Sequence, residues 1–357
     1  MQYGRYFVTS KRLDDDVLAE TLAASRNYNT IKEASEALGL ARSTYEHRLK
    51  IAMARVDSLD EHNRDNIVFP EFPDDDIKTD EIINHLSNRF EKRLQHEQAK
   101  HWFPIKFSSD KPIGLAVVGD PHLGPHCNFP LLRRDVDIMA TTDGMLAVNI
   151  GDSADNWSNR LIALWAESDI SRETERKLAK WFLQDAGIKW GFWLMGNHDS
   201  MNTEFSTYLE TVNAQKVPMV DWRARVRLVF PSGELRLDAA HNHKGTSIYN
   251  RLHGQKRAAL WDEDADIYVA GHHHTWAVAI EELDSGRIVT MARCRGYKWL
   301  DKFATTHGFA TQKHGATILF VIDPRQENPV SRVMTFADLK QGSEYLKWIR
   351  DSYESNG

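Results

Sequence analysis

The sequence predicts an α/β protein, with a layered domain of alternating strands and helices preceded by a small all-α domain. From about Lys111 onward, short apolar runs recur, each ending in a polar cluster, with helical stretches such as "SRETERKLAKWFLQDAG" between them. The first hundred residues are instead polar and helix-periodic. Between the two patterns lies "DNIVFPEFPDDDIKTDE", whose prolines and acidic run suit a linker. The chain has 357 residues, 41% of them hydrophobic, enough for one large core with an appendage. The expected division is a helical segment at 1–64, a linker and connecting helix at 65–103, the α/β domain at 104–335 and a helical tail at 336–357.

The opening "MQYGRYFVTSKRLDDD" lacks the apolar core of a signal peptide, and no later stretch approaches ~18 uninterrupted apolar residues. Neither export by that route nor a membrane span is expected. The two cysteines, Cys127 and Cys294, are far apart in sequence and fit a reducing cytoplasm. A formal net charge of -6 argues against a globally basic nucleic-acid coat but leaves room for a local basic face.

Within "NTIKEASEALGLARSTYEHRLKIA", Thr30 and Glu33 form a capping-box pattern and Gly39 supplies a turn. Ser43 is placed to cap a second helix carrying Arg42, His47, Arg48 and Lys50. The segment resembles a helix-turn-helix, with Arg42, Arg48 and Lys50 as its candidate DNA-binding residues; a plain helical hairpin is the alternative. Next, "DEIINHLSNRFEKRLQHEQAKHW" sets Ile83, Leu86, Phe90 and Leu94 on one helical face. That face either packs within the chain, the expectation taken here, or pairs with a second copy.

Five apolar runs then end in "GDPH", "GDSAD", "GNHD", "HNH" and "GHHH". They present Asp120 and His122, then Asp152, then Asn197 and His198, then His241, then His272 and His274. All are oxygen or imidazole donors with no thiolate, the set that Mn, Fe and Zn accept. One ion would leave ligands unused, whereas two sharing a carboxylate would use them all. Asp120 and His122 are two apart, as are His272 and His274, so each pair can project to one side of an extended backbone, turning His273 elsewhere.

In order and spacing these motifs resemble the D-x-H, G-D, G-N-H-D/E, H and G-H-x-H series of the calcineurin-like metallophosphoesterases, over roughly residues 104 to 335. The resemblance implies a four-layer β-sandwich flanked by helices, with a dinuclear site at the loops along one edge. It assigns Asp120, His122, Asp152 and His274 to one metal, and Asp152, Asn197, His241 and His272 to the other, with Asp152 bridging. "HNHKG" offers His243 as the alternative to His241; the latter directly follows the strand and resembles the first His of an H-x-x-x-G motif in phage-encoded members. "GTSIYNRLHGQKRAA" also looks like those phage proteins.

Two divalent cations, Mn2+ foremost, would make hydroxide available near neutral pH for in-line attack on phosphorus. By resemblance His198 is the catalytic histidine, with Asp155, or else Asp199, as the carboxylate that orients it. The serine/threonine phosphatases of the superfamily usually read G-D-x-V-D-R-G and G-N-H-E. This chain has "GDSADNW" and "GNHD", although Arg160, Arg293 or Arg295 could supply the missing charge. The Asp form of the third motif and the N-terminal segment favour a phosphodiester of DNA or RNA as substrate. Phosphomonoester hydrolysis and a non-catalytic DNA-binding module are the alternatives.

Trp157 and Trp276 flank ligand motifs and could stack on bases. "MARCRGYKWLDKF" gathers Arg293, Arg295, Lys298 and Lys302 with Tyr297 and Trp299. His273, Arg293, Arg295 and Tyr297 are therefore taken as substrate-binding residues. "GSEYLKWIRDSYESNG" reads as a short amphipathic helix that caps the domain or binds a partner.

Overall fold

The computed structural model describes residues 13–55, 77–158, 162–166, 168–262, 264–299 and 315–355. Residues 56–64 of the helical segment, most of the proline-containing linker, Arg160 and Lys302 lie outside them. The chain divides into two compact units, Met1–Ile82 and Ile83–Gly357. No described helix is long and apolar enough to cross a membrane.

The first unit contains α1 (Asp15–Asn27), α2 (Ile31–Ala37) and α3 (Arg42–Met53). The Thr30 hydroxyl accepts from the Glu33 N–H at 3.3 Å, which satisfies a donor that α2 leaves unpaired at its start. Gly39 turns the chain at φ 65°, a conformation a residue without Cβ adopts at little steric cost. Ser43 does not cap the next helix as expected; Ala41 holds that position with no side-chain bond, and Ser43 lies inside α3. Leu18, Leu22 and Ala52 form one small apolar cluster, and Ala24, Ala34 and Tyr45 another. Helices this short are marginal alone, so their stability comes from this shared burial.

The chain continues through α4 (Thr79–Lys100), β1 (Phe103–Lys106), β2 (Ile113–Val118), α5 (Phe129–Thr141), β3 (Met145–Asn149), α6 (Ile162–Ala166) and α7 (Arg172–Lys180). A π-helical turn at Trp181–Asp185 leads to β4 (Trp190–Met195), α8 (Thr203–Val212), β5 (Met219–Asp221), β6 (Arg223–Phe230) and β7 (Gly233–Ala240). Then come α9 (His253–Trp261), β8 (Ile267–Ala270), β9 (Ala277–Glu282), β10 (Ile288–Arg293), β11 (Ile318–Ile322), α10 (Pro329–Arg332), β12 (Val333–Phe336) and α11 (Leu339–Ser355). The apolar stripe of α4, expected to pack within the chain, is instead exposed.

The strands of the described residues form two six-stranded mixed sheets, ordered β1-β6-β7-β8-β10-β9 and β12-β11-β2-β3-β4-β5. Strand periodicity distributes the side chains between cores. Leu115 and Val117 of β2 join Leu237, Ile267 and Val269 of the other sheet in one cluster. Ala116 and Val118 point the opposite way, toward Leu132, Val136 and Met139 of α5 and Leu346 of α11. On the first sheet, Tyr268, Val289 and Met291 pack with Leu252, Ala258 and Ala259 at α9. The C-terminal helix is therefore a cap, with Arg350 donating to the Pro112 carbonyl at 2.6 Å.

Strand direction places the polar clusters. β2, β3 and β4 are parallel neighbours in one sheet, and β7 and β8 in the other. In each sheet, then, the carboxyl ends carrying the motifs emerge at one edge, where loops rather than ladder bonds take over.

Candidate functional site

Asp120 and His122 follow β2, Asp152 follows β3, Asn197 and His198 follow β4, His241 follows β7, and His272 and His274 follow β8. Five of these residues have left-handed backbones: Asp120 (φ 40°), His122 (45°), Asp152 (53°), His272 (66°) and His274 (49°). Such conformations are costly for residues with a Cβ and persist only where the surroundings hold them. Here the neighbouring loop holds them: His122 N–H donates to the Asp152 carbonyl at 3.0 Å, and His272 N–H to Asp120 Oδ2 at 2.7 Å. The glycines are needed because the loops touch. A Cβ on Gly196 would collide with Asp152 Oδ1, and one on Gly151 would lie 2.5 Å from His241 Nδ1.

The side chains meet in two groups, buried His122, Asp152 and His198, and buried Asp152 and His241 with half-buried His272. Asp152 belongs to both. Its Oδ2 lies 3.8 Å from His122 Nε2 and 3.4 Å from His241 Nε2. His274 Nε2 approaches His122 Nε2 at 3.2 Å and Asp120 Oδ2 at 3.8 Å. On the other side His241 Nε2 lies 2.9 Å from Asn197 Oδ1 and 3.0 Å from His272 Nδ1. His243 is elsewhere, 3.1 Å from Asp238 Oδ1, so His241 is the histidine that the structure brings to the group.

The donor set fits divalent cations. His122 Nδ1 faces the Asp155 carboxylate at 2.9 Å, and His241 Nδ1 donates to the Ile150 carbonyl at 2.9 Å. Both rings therefore turn Nε2, the lone-pair nitrogen of that neutral tautomer, toward other acceptors. Buried Asp120 Oδ1 has no hydrogen-bond partner among the described residues. Converging acceptors of this kind are stable only around a positive charge. Without a metal, a proton takes that place. Burial alone would lower the pKa of His241, but the Asp152 and Asp120 carboxylates raise it to about 9. Burial and the charge on His241 push His272 down to about 4. Asp120 is raised, chiefly by burial, whereas Asp152 is held low by the facing histidines against its own burial.

The expected orientation of His198 is corrected. The Asp155 carboxylate does not reach it; Oδ1 accepts from His122 and, at 2.6 Å, from Lys298 Nζ. Asp199 instead ties the second and third loops together, accepting from Ser153 N–H at 3.0 Å and Gly196 N–H at 2.9 Å. His198 Nδ1 donates to the Asp155 main-chain carbonyl at 2.5 Å, and its ring packs on Trp157 at 4.7 Å.

Two residues expected to bind substrate are interior. Arg293 is buried and donates to the Gly271 carbonyl at 2.8 Å and the Arg251 carbonyl at 2.7 Å. Tyr297 is buried with its hydroxyl on Asp135 Oδ2 at 2.7 Å. Lys298, of the same basic cluster, is also buried, on Asp155, and lies 4.4 Å from the Trp157 ring centroid. Trp157 is thus packed rather than open. His273 is half-buried against His272, and Arg295 is half-buried with its guanidinium 5.7 Å from the Trp276 ring. In the other unit, Arg42 pairs with Glu46 at 2.9 Å, Lys50 is exposed and Arg48 half-buried.

Sequence reasoning missed Trp222. It is 43% exposed with φ 57°, its indole N–H on the Asn242 carbonyl at 3.0 Å and its ring 5.1 Å from that of His241. No local motif marks it, because only the pairing of β6 and β7 brings it to the site.

No family model matches this chain, and no curated protein matches it. Among solved structures, the anchor in the inner membrane complex of Plasmodium aligns at TM-score 0.34 and 10% identity, covering 67% of this chain and 94% of its own. The Pseudomonas putida nuclease MPE aligns at TM-score 0.26 and 16% identity, with coverages of 62% and 87%. A cold-active protein-tyrosine phosphatase from a psychrophilic Shewanella aligns at TM-score 0.24 and 13% identity, with coverages of 63% and 81%. Superpositions this loose fix no activity.

Proposed function

We propose that this chain is a calcineurin-like metallophosphoesterase, a four-layer sandwich that binds two divalent cations and hydrolyses phosphodiesters of DNA or RNA. The observation that carries the reading is the position of Asp152, common to both groups and facing a histidine of each. Asp120, His122, Asp152 and His274 would hold one cation; Asp152, Asn197, His241 and His272 would hold the other. Mn2+ suits these donors, as do Fe and Zn. When bound, the cations supply Lewis acidity toward the phosphoryl oxygens and a nucleophilic water near neutral pH.

The chain's own residues do the rest. Lys298 and Asp155 fix the His122 ring, which keeps its Nε2 on the site. His198 spends its Nδ1 proton on the Asp155 carbonyl, so only Nε2 can exchange a proton with substrate. A protonated Nε2 can neutralise or protonate the leaving oxygen, a contribution typically worth ~10²- to 10⁴-fold.

A phosphodiester is favoured because the second loop reads "GDSADNW" without the phosphate-holding arginine, and Arg293 is committed to interior carbonyls. A helix-turn-helix role for α1–α3, with Arg42, Arg48 and Lys50 on DNA, and a phage origin belong to the same reading.

The test is manganese-loaded protein offered an aryl phosphodiester, an aryl phosphomonoester and single- and double-stranded DNA, beside Asp152→Asn, with metal content measured on each preparation. Diester and DNA cleavage absent from the variant is expected. Cleavage of the monoester alone would replace the diester reading with a phosphatase. Protein that takes up no metal would end both.

A further inference from the structure

Every described side chain of the 22-residue helix α4 is exposed. Among them Ile83, Leu86, Phe90 and Leu94 are 53%, 54%, 65% and 47% exposed and line one shallow apolar groove. Their spacing of three, four and four residues makes a continuous stripe over three helical turns. A helix gains little stability from its own hydrogen bonds, and a contiguous apolar stripe in water is unfavourable, so the stripe calls for a partner.

Charge selects the partner and its direction. At 100° per residue, Arg89 and Arg93 border the stripe on one side and Glu91 on the other, at a height between the two arginines. A twofold axis perpendicular to the helices, giving an antiparallel pair, sets each flank against its own copy, arginine against arginine. An axis along the helices sets opposite flanks together.

We propose that α4 pairs in parallel with α4 of a second copy of this chain, Leu86 and Phe90 meeting their own counterparts and Glu91 of each copy lying between Arg89 and Arg93 of the other. The pairing is independent of the phosphoesterase reading, since none of these residues belongs to the candidate metal site.

Light scattering and sedimentation of the full chain over a wide concentration range should give twice the chain mass. Phe90→Asp should weaken association by roughly thirtyfold or more, as loss of a central anchor does, with circular dichroism unchanged. Glu91→Arg should also weaken it, and adding Arg89→Glu with Arg93→Glu should restore it. Leu86→Cys should cross-link to itself on mild oxidation. A monomeric wild type, or a dimer indifferent to Phe90→Asp, overturns the proposal. Failure of Leu86→Cys to cross-link in an intact dimer overturns the parallel arrangement. If the stripe packs elsewhere on the chain, Phe90→Asp will lower the melting temperature of a monomer, which also overturns it.

Discussion

Asp155 works through its neighbours: a single carboxylate oxygen takes both His122 Nδ1 and Lys298 Nζ. Burial would raise that carboxyl, but Lys298 and then His122 outweigh it and hold it ionised. Lys298→Met should therefore leave a buried carboxylate uncompensated, let the His122 ring turn and weaken metal binding by roughly 10- to 100-fold, the usual size of such outer-layer losses. Titration calorimetry with manganese checks it, and Lys298→Arg should rescue part of the loss. His198→Asn should differ: metal content stays near wild type while turnover falls ~10²- to 10⁴-fold. Full turnover in that variant would remove His198 from the chemistry. Asp155 was visible as a second acid in the loop; its true partner was not, because Lys298 is 143 residues away in sequence and meets it only in space.

Among the elements, α7 carries a group the motifs do not reveal. Glu175 is 3% exposed, and burial, then the charge of Asp155, raises its pKa from 4.5 to about 7. The folded chain thus keeps a proton that the unfolded chain has already lost. Stability from this group is fully present below pH 4.5, declines as pH rises, and is lost above about 7. The shift corresponds to roughly 3 kcal/mol. Glu175→Gln should melt close to wild type at pH 4.5 and clearly above it at pH 8, read from paired thermal scans; equal melting at both pH values would refute the assignment. At the strand ends, Gly196→Ala should disrupt the site outright, because the new methyl meets the Asp152 carboxylate, the Asp152 backbone nitrogen at 2.6 Å and His241 Cε1 at 2.9 Å, and a backbone atom cannot swing aside as a side chain can. Loss of manganese uptake in a variant that still folds is the expected outcome.

For the whole molecule, the electrostatic balance of the site couples metal, protons and stability. Below about pH 9, His241 carries a proton when no metal is bound, and a cation must displace it. Manganese binding should release protons and tighten as pH rises toward 9, seen as buffer-dependent heats in calorimetry. Chelation should lower the melting temperature, since a ligand bound only to the folded state adds stability by mass action. Unchanged melting after complete metal removal would mean that the buried histidines and carboxylates balance one another without cations.

By itself the sequence determined the α/β architecture, the identities of the residues that converge, and a preference for His241 over His243, because apolar runs ending in short polar motifs are local patterns that strand periodicity and metal chemistry make readable. Only the tertiary structure decided which neighbour each group would have. Arg293 and Tyr297 look like surface residues in a basic loop, yet carbonyls and Asp135 claim them inside. Trp222 carries no motif at all, yet stands open beside His241. Burial and hydrogen-bond partnership arise from contacts between segments distant along the chain, and no local pattern records them.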